Sequence, residues 1–134
     1  MLPRSVLFHV SLLALLGGCA AALAAPPASR ALSESDSGRS LVLSVGDRFA
    51  VKMRSTPGTG YTWEVVGGDP GVVAERPPRT SKPAGPERPG SAVVETISFA
   101  ARGPGTTRLV LAYHRPWERE AAPARTFVLD VTVR

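Results

Sequence analysis

The chain is short of the residues that carry out chemistry. It has one cysteine, Cys19, and two histidines, of which only His114 lies beyond the first two dozen residues. A Cys–His nucleophilic pair in the main body is therefore excluded, and so is a His-rich metal centre. A Ser–His–Asp arrangement would have to use His114, and no G-x-S-x-G elbow presents a serine to it. His114 reads instead as a solvated residue at a loop edge. The 11 carboxylates are spread singly, and nothing in their spacing pairs two of them for glycoside hydrolysis. A single cysteine cannot form a disulfide within the chain, so stability must come from a hydrophobic core. Lysine is almost missing: Lys52 and Lys82 are the only two among 16 basic residues. The arginines (Arg39, Arg48, Arg54, Arg76, Arg102, Arg108 and Arg125 among them) form no run of four and no aromatics interleave them. The net charge of +5 thus comes without the stacking platform that nucleic-acid binding requires. No nucleic-acid partner, cofactor or metal is expected.

Long apolar runs are also missing. The one at Val6–Leu16 is shorter than the roughly 20 residues that span a bilayer. With Arg4 before it and small residues after it, it reads as an export signal. Leu16-Gly17-Gly18-Cys19 has the form of a bacterial lipobox, which predicts a signal peptide over 1–18 and a lipid-bearing Cys19 as the first mature residue. Residues 19–38 would be a flexible tether rich in Ala, Pro and Ser. Cleavage after Ala22-Leu23-Ala24 is the alternative, giving a soluble product. The expected location is the periplasmic face of the envelope, or the periplasm or exterior if the chain is cut near Ala24.

What the chain has in quantity is turn punctuation, with 13 Gly and 13 Pro in 134 residues. Between the turns the apolar pattern has period two, the signature of half-buried strands. Leu41, Leu43 and Val45 alternate with polar or outward positions, as do Phe49, Val51 and Met53. Tyr61, Trp63 and Val65 continue the pattern, followed by Leu109, Leu111 and Tyr113, then Phe127, Leu129, Val131 and Val133. Residues 72–74 and 92–101 supply further strands. Residues 77–90 carry Pro77, Pro78, Pro83, Pro86 and Pro89, and are expected to form a long semi-rigid loop. The expected fold is all-β, an immunoglobulin-like β-sandwich of about seven strands over residues 39–134. Roughly a dozen large side chains point inward, each contributing about 1.5–3 kcal/mol on burial, which is enough for one independent, monomeric domain.

Two loops stand out. Ser55-Thr56-Pro57-Gly58-Thr59-Gly60 places six small or turn-forming residues between two apolar strands. Pro57 fixes one backbone angle, and Gly58 and Gly60 permit positive φ. In Arg115-Pro116-Trp117-Glu118, Pro116 ends strand pairing and leaves Trp117 in a loop. A tryptophan exposed beside an arginine has the composition of a binding hot spot. The same tryptophan could instead fold back to cap the sandwich.

These residues resemble the chagasin-like inhibitors of papain-like cysteine peptidases. The family's first-loop pattern, Asn-Pro-Thr-Thr-Gly-Tyr/Phe with a nearby Trp, reads here Thr56-Pro57-Gly58-Thr59-Gly60-Tyr61-Thr62-Trp63. Its Arg-Pro-Trp/Phe signature is matched by Arg115-Pro116-Trp117, and its Gly-rich middle loop is loosely echoed by Glu87-Arg88-Pro89-Gly90. The resemblance implies a non-enzymatic protein with a papain-like cysteine peptidase as partner. Loops 55–61, 77–91 and 114–119 would enter the active-site cleft, with Thr56 to Tyr61, Pro89, Gly90 and Arg115 to Trp117 in contact. Pro57 to Gly60 would cover the catalytic thiolate, Trp117 would pack beside the cleft, and Arg115 would support the loop or bond across the interface. Two positions depart from the pattern: Thr56 replaces an amide side chain, and Gly58 replaces a threonine. A non-inhibitory envelope interaction module on the same sandwich is the alternative.

Overall fold

The structure, a computed structural model, describes residues 26–134. The export signal and Cys19 lie outside the described residues. Eight strands follow one another: β1 (Ser29–Ser33), β2 (Ser40–Leu43), β3 (Arg48–Ser55), β4 (Thr62–Gly67), β5 (Val73–Pro83), β6 (Val93–Ala101), β7 (Gly105–His114) and β8 (Arg125–Val133). They form two four-stranded sheets, ordered β1-β3-β6-β5 and β2-β8-β7-β4. β1 runs parallel to β3 and β2 parallel to β8, and every other pairing is antiparallel. This is the all-β sandwich of immunoglobulin-like type.

The period-two pattern explains which face each strand buries. Leu41 and Leu43, Phe49, Val51 and Met53, Leu109 and Leu111, and Phe127, Leu129, Val131 and Val133 all point between the sheets, joined by Trp63, Ile97 and Phe99. Phe49 and Phe99 are register partners and stack with ring centroids 5.1 Å apart. Two expected core positions are surface positions instead. Val45 lies in the turn before β3, and Val65, opposite the buried Leu111 on the outer strand β4, is left partly open just before the register shift.

Residues 77–83 are strand rather than loop. β5 continues through Pro83, and its ladder with β6 lapses between Arg76 and Thr80, where Pro77 and Pro78 offer no N–H. The prolines are tolerated because β5 is the outer strand of its sheet and β6 is its only neighbour. The interruption also places Arg79. Its guanidinium grips Glu75 (Nε–Oε1 2.6 Å, Nη2–Oε2 3.2 Å), reaches Glu95 at 3.2 Å and donates to the Trp63 carbonyl at 2.6 Å. One side chain thus ties β5 and β6 to β4 of the opposite sheet. The hydrogen bonds it donates to Glu75, with the charges of Glu75 and Glu95, outweigh its burial and hold the Arg79 guanidinium above its usual pKa.

Part of the expected tether over 19–38 belongs to the fold instead. Residues 29–33 add β1 to the edge of β3, and Glu34–Asp36 form a single 3-10 turn. The strand was missed because it is exposed almost throughout and has no alternating apolar face. Backbone pairing and Asp47 hold it instead. The Asp47 carboxylate accepts the Ser44 amide (Oδ2, 2.9 Å) and the Ala28 amide (Oδ1, 2.9 Å). These two bonds favour the charged form and hold Asp47 below the ordinary aspartate value. A depressed folded-state pKa contributes stability that is complete above the unfolded value of about 4 and is lost as pH falls through the folded value. Hydrogen exchange of the β1 amides is therefore expected to accelerate below about pH 4 while β6 and β7 stay protected. Asp47→Asn should give the fast β1 exchange already at neutral pH.

Candidate functional site

The register places three loops at one end of the sandwich. Ser55 is paired with Val93, Pro83 with Val93, Thr62 with His114, and Tyr113 with Arg125. The loops leaving these pairs are 56–61, 84–92 and 115–124. The middle loop is therefore shorter than the expected 77–91 and begins only after β5 ends.

Pro57 opens a single 3-10 turn over Pro57–Thr59. The Thr59 amide donates to the Thr56 carbonyl at 3.1 Å, the Thr59 hydroxyl donates to the same oxygen at 2.6 Å, and the Gly60 amide donates to the Pro57 carbonyl at 3.1 Å. Of the two glycines only Gly60 has positive φ (78°); Gly58 does not use the freedom expected of it. Gly60 has a second reason to be glycine. A Cβ there would overlap the six-membered ring of Trp117.

Trp117 is 67% exposed, as expected for a loop residue, yet its indole lies against Gly60 and so braces the first loop rather than the core. Its position is set by a tight turn in which the Glu118 amide donates to the Arg115 carbonyl at 3.0 Å. Pro116 occupies the second place of that turn, where its fixed φ fits. Arg115 is a bracing residue too. Its Nε donates to the Thr59 carbonyl at 3.0 Å, its Nη1 reaches Glu118 at 3.2 Å, and its guanidinium lies 4.6 Å from the Tyr61 ring centroid. Pro89 and Gly90 stand at the exposed tip of the middle loop. There the Ser91 hydroxyl accepts the Arg88 amide at 2.8 Å and Gly90 turns with φ 77°. Gly90 borders the first loop, since a Cβ built on Gly58 would meet the Gly90 Cα at 3.9 Å. Thr56 to Tyr61 thus lie between Gly90 on one side and Trp117 on the other.

Beneath the loops lies a column of rings. Tyr61 stacks on Tyr113 at 5.3 Å, and Tyr113 packs on Trp63 at 5.0 Å. The Tyr113 hydroxyl accepts the Thr56 amide at 2.9 Å, which fixes the residue entering the first loop. Arg125 covers this column, 4.2 Å from the Tyr113 centroid and 5.2 Å from that of Trp63. It also holds both carboxylate oxygens of Glu34 (2.9 and 2.8 Å) and donates to the Arg54 carbonyl at 2.6 Å. Burial pushes the Tyr113 hydroxyl up, but the Thr56 amide, Ser55 and the Arg125 guanidinium together bring it below the usual tyrosine value.

Sequence reasoning counted Tyr113 only as core and Arg125 only as one of many scattered arginines, and it had no signal for Glu34. Arg125 follows a turn-rich loop and precedes Phe127, so its outward position was legible; its partners, distant in sequence, were not. His114 is also corrected: it is half-buried, with Nε2 2.6 Å from Glu64 Oε2 across the β4–β7 pair.

The protein is thus a two-sheet β-sandwich that gathers three braced loops at one end. Residues 42–131 match the family described as chagasin family peptidase inhibitor I42, and the chain belongs to that family. It is 26% identical over 103 residues to Amoebiasin-2 of Entamoeba histolytica, covering 77% of this chain and 84% of that one. Among solved structures it resembles the cysteine protease inhibitor EhICP2 from Entamoeba histolytica, with a TM-score of 0.66, 27% identity and coverage of 80% and 96% of the two chains. Amebosin follows with a TM-score of 0.59, 26% identity and coverage of 79% and 98%.

The contact between Gly60 and Trp117 makes a specific prediction. Gly60→Ala places a side chain at positive φ and against the indole at once. It is expected to destabilise the domain by about 1–2 kcal/mol, read as a lower denaturant midpoint. The fluorescence of Trp117 should shift as the ring is displaced.

Proposed function

We propose that this protein is a reversible, competitive inhibitor of papain-like cysteine peptidases. The observation that carries the reading is the braced turn Pro57–Gly60, held between Gly90 and Trp117 at the loop end of a chagasin-family sandwich. The first loop lies over the peptidase's catalytic thiolate, and the middle and third loops hold the enzyme on either side. No covalent step is required. Affinity comes from a loop already in its bound shape, which reduces the ordering cost of association. Thr56 has its amide held by Tyr113, so the family's Asn at this place is not needed to fix the loop entry. Trp117 offers a large, rigid and mostly solvent-facing ring, the kind of side chain that anchors interfaces. Family membership favours this reading over a non-inhibitory envelope module.

The site of action belongs to the same proposal. Export is supported by the residue pattern of 1–18, and acylation at Cys19 by the lipobox form, which together would hold a monomeric inhibitor at the periplasmic face of the envelope. Palmitate labelling is expected for the native chain and should disappear in Cys19→Ala; labelling that persists would sink the anchor.

Residues 26–134 contain both sheets and the core, and serve as the soluble inhibitor. Titrated into papain, this domain should raise the apparent KM without changing kcat. Absence of inhibition at tens of micromolar, against papain and cathepsin-like enzymes alike, would refute the inhibitory reading. Trp117→Ala is expected to weaken inhibition by about 2 kcal/mol or more while leaving the unfolding midpoint nearly unchanged. Gly58→Thr tests the departure from the family pattern. A Cβ at this position meets nothing closer than 3.9 Å, so the side chain fits. By restricting the free loop it should lower the inhibition constant by about 0.5–1 kcal/mol.

A further inference from the structure

The outer faces of the two sheets differ in charge, and the difference is independent of the loops. In the sheet β1-β3-β6-β5, Phe49 and Val51 point to the core with their partners Phe99 and Ile97. Arg48, Lys52 and Arg54 of β3 must then point away from it. Across β6, Arg76 and Lys82 of β5 occupy the same outer face, opposite Ser98 and Val94. All five are exposed, and among the described residues none takes part in an ion pair. Among the described residues no carboxylate of these four strands points to the face. Glu75 and Glu95 of these strands lie opposite Phe99 and Met53 on the core side, where Arg79 holds them. The carboxylates at the rim are engaged, Glu34 by Arg125, Asp36 by Arg39 and the Ser33 amide, and Asp47 by two backbone amides. On the outer face of the other sheet, by contrast, Asp130 is paired with Arg108 and Glu64 with His114.

The form of the cationic face narrows the partner. Alternate residues along a strand are roughly 7 Å apart and neighbouring strands roughly 5 Å, so the five charges form a flat array. Between them lie only small or short side chains, Ala50, Thr80, Thr96 and Ser98 among them. Among the described residues no aromatic ring interrupts the array for a base to stack on, and no helix projects from the face to enter a groove. A flat, diffuse and unneutralised cationic surface complements a plane of phosphates. We propose that this face docks on the surface of an anionic phospholipid bilayer. Lysine and arginine stems extend outward from the sheet and set their charged heads among the lipid headgroups, each contributing about fivefold to partitioning. The chain enters the fold at β1, on the edge of this same sheet. The loops lie at the end of the sandwich rather than on this face, so a docked domain keeps them open to a peptidase.

The test uses residues 26–134, which lack Cys19 and so report the face alone. Cosedimentation with vesicles of equimolar phosphatidylglycerol and phosphatidylcholine is expected, with none on phosphatidylcholine alone. Binding should fade as salt shortens the screening length below about 8 Å. Lys52→Gln with Arg76→Gln should weaken vesicle binding about tenfold or more, whereas Arg119→Gln with Arg134→Gln, which removes equal charge elsewhere, should leave it unchanged. Equal weakening by both pairs would overturn the proposal, because net charge rather than this face would then be responsible. Binding to duplex DNA without binding to the anionic vesicles would overturn it as well. Papain inhibition is read on the same variants; if the two readings are separate, the Lys52/Arg76 pair inhibits normally.

Discussion

Tyr113 is where the two halves of the molecule's task meet. Its ring belongs to the core, paired in register with Trp63, while its hydroxyl reaches past the strand end to take the amide of Thr56. A loop built from Pro, Gly and Thr has no apolar side chains of its own to pack, so its conformation has to be imposed from outside. Tyr113 fixes the entry of the loop, Arg115 fixes its far side through the Thr59 carbonyl, and Trp117 covers Gly60. The guanidinium of Arg125 then closes the column below and carries the Glu34 carboxylate with it. Each guanidinium sits over a ring face, where the attraction is worth more than for an exposed pair because part of the hydration has already been lost. The stiffness of the first loop thus derives from the aromatic column below it and from Arg115 and Trp117 of the third loop as much as from its own turn.

The fold was largely legible in the sequence because its signal is local. Alternation in Phe49–Met53, Leu109–Tyr113 and Phe127–Val133 needs only neighbouring residues to be read, and burial follows it closely. The two strands misread are those whose signal is not local. β1 has no buried face and exists because β3 offers it an edge and Asp47 a clamp. β5 has prolines that forbid a central strand, and position alone, next to a single neighbour, makes them acceptable. Both are sheet edges, where tertiary context outweighs composition.

The site was legible in kind but not in its workings. The spacing of Thr56 to Trp63 and of Arg115 to Trp117 singled out two loops, and the strand register brings them to one end of the sandwich. That Trp117 leans on Gly60 rather than standing free could not be read, since the contact joins residues 57 positions apart. The same holds for Tyr113 with Thr56 and for Arg125 with Glu34. The first two loops described in the sequence were treated as separate binding elements. In the structure they are one object, because Arg115 and Trp117 spend part of their surface on the loop beside them.

The single 3-10 turn at Pro57–Thr59 has a further consequence, for the lifetime of the protein in the presence of its target. Peptidases cut chain that lies extended along the cleft, advancing roughly 3.3 Å per residue. A 3-10 turn advances only about 2 Å per residue and folds its carbonyls back onto its own amides. Pro57 removes one amide altogether, and the Thr56 and Pro57 carbonyls are already occupied by Thr59 and Gly60. To be hydrolysed, the segment would first have to unwind and give up its contacts with Tyr113, Arg115 and Trp117. The bracing that shapes the loop therefore also makes it a poor substrate, so that the protein can meet a proteolytic enzyme repeatedly without being consumed.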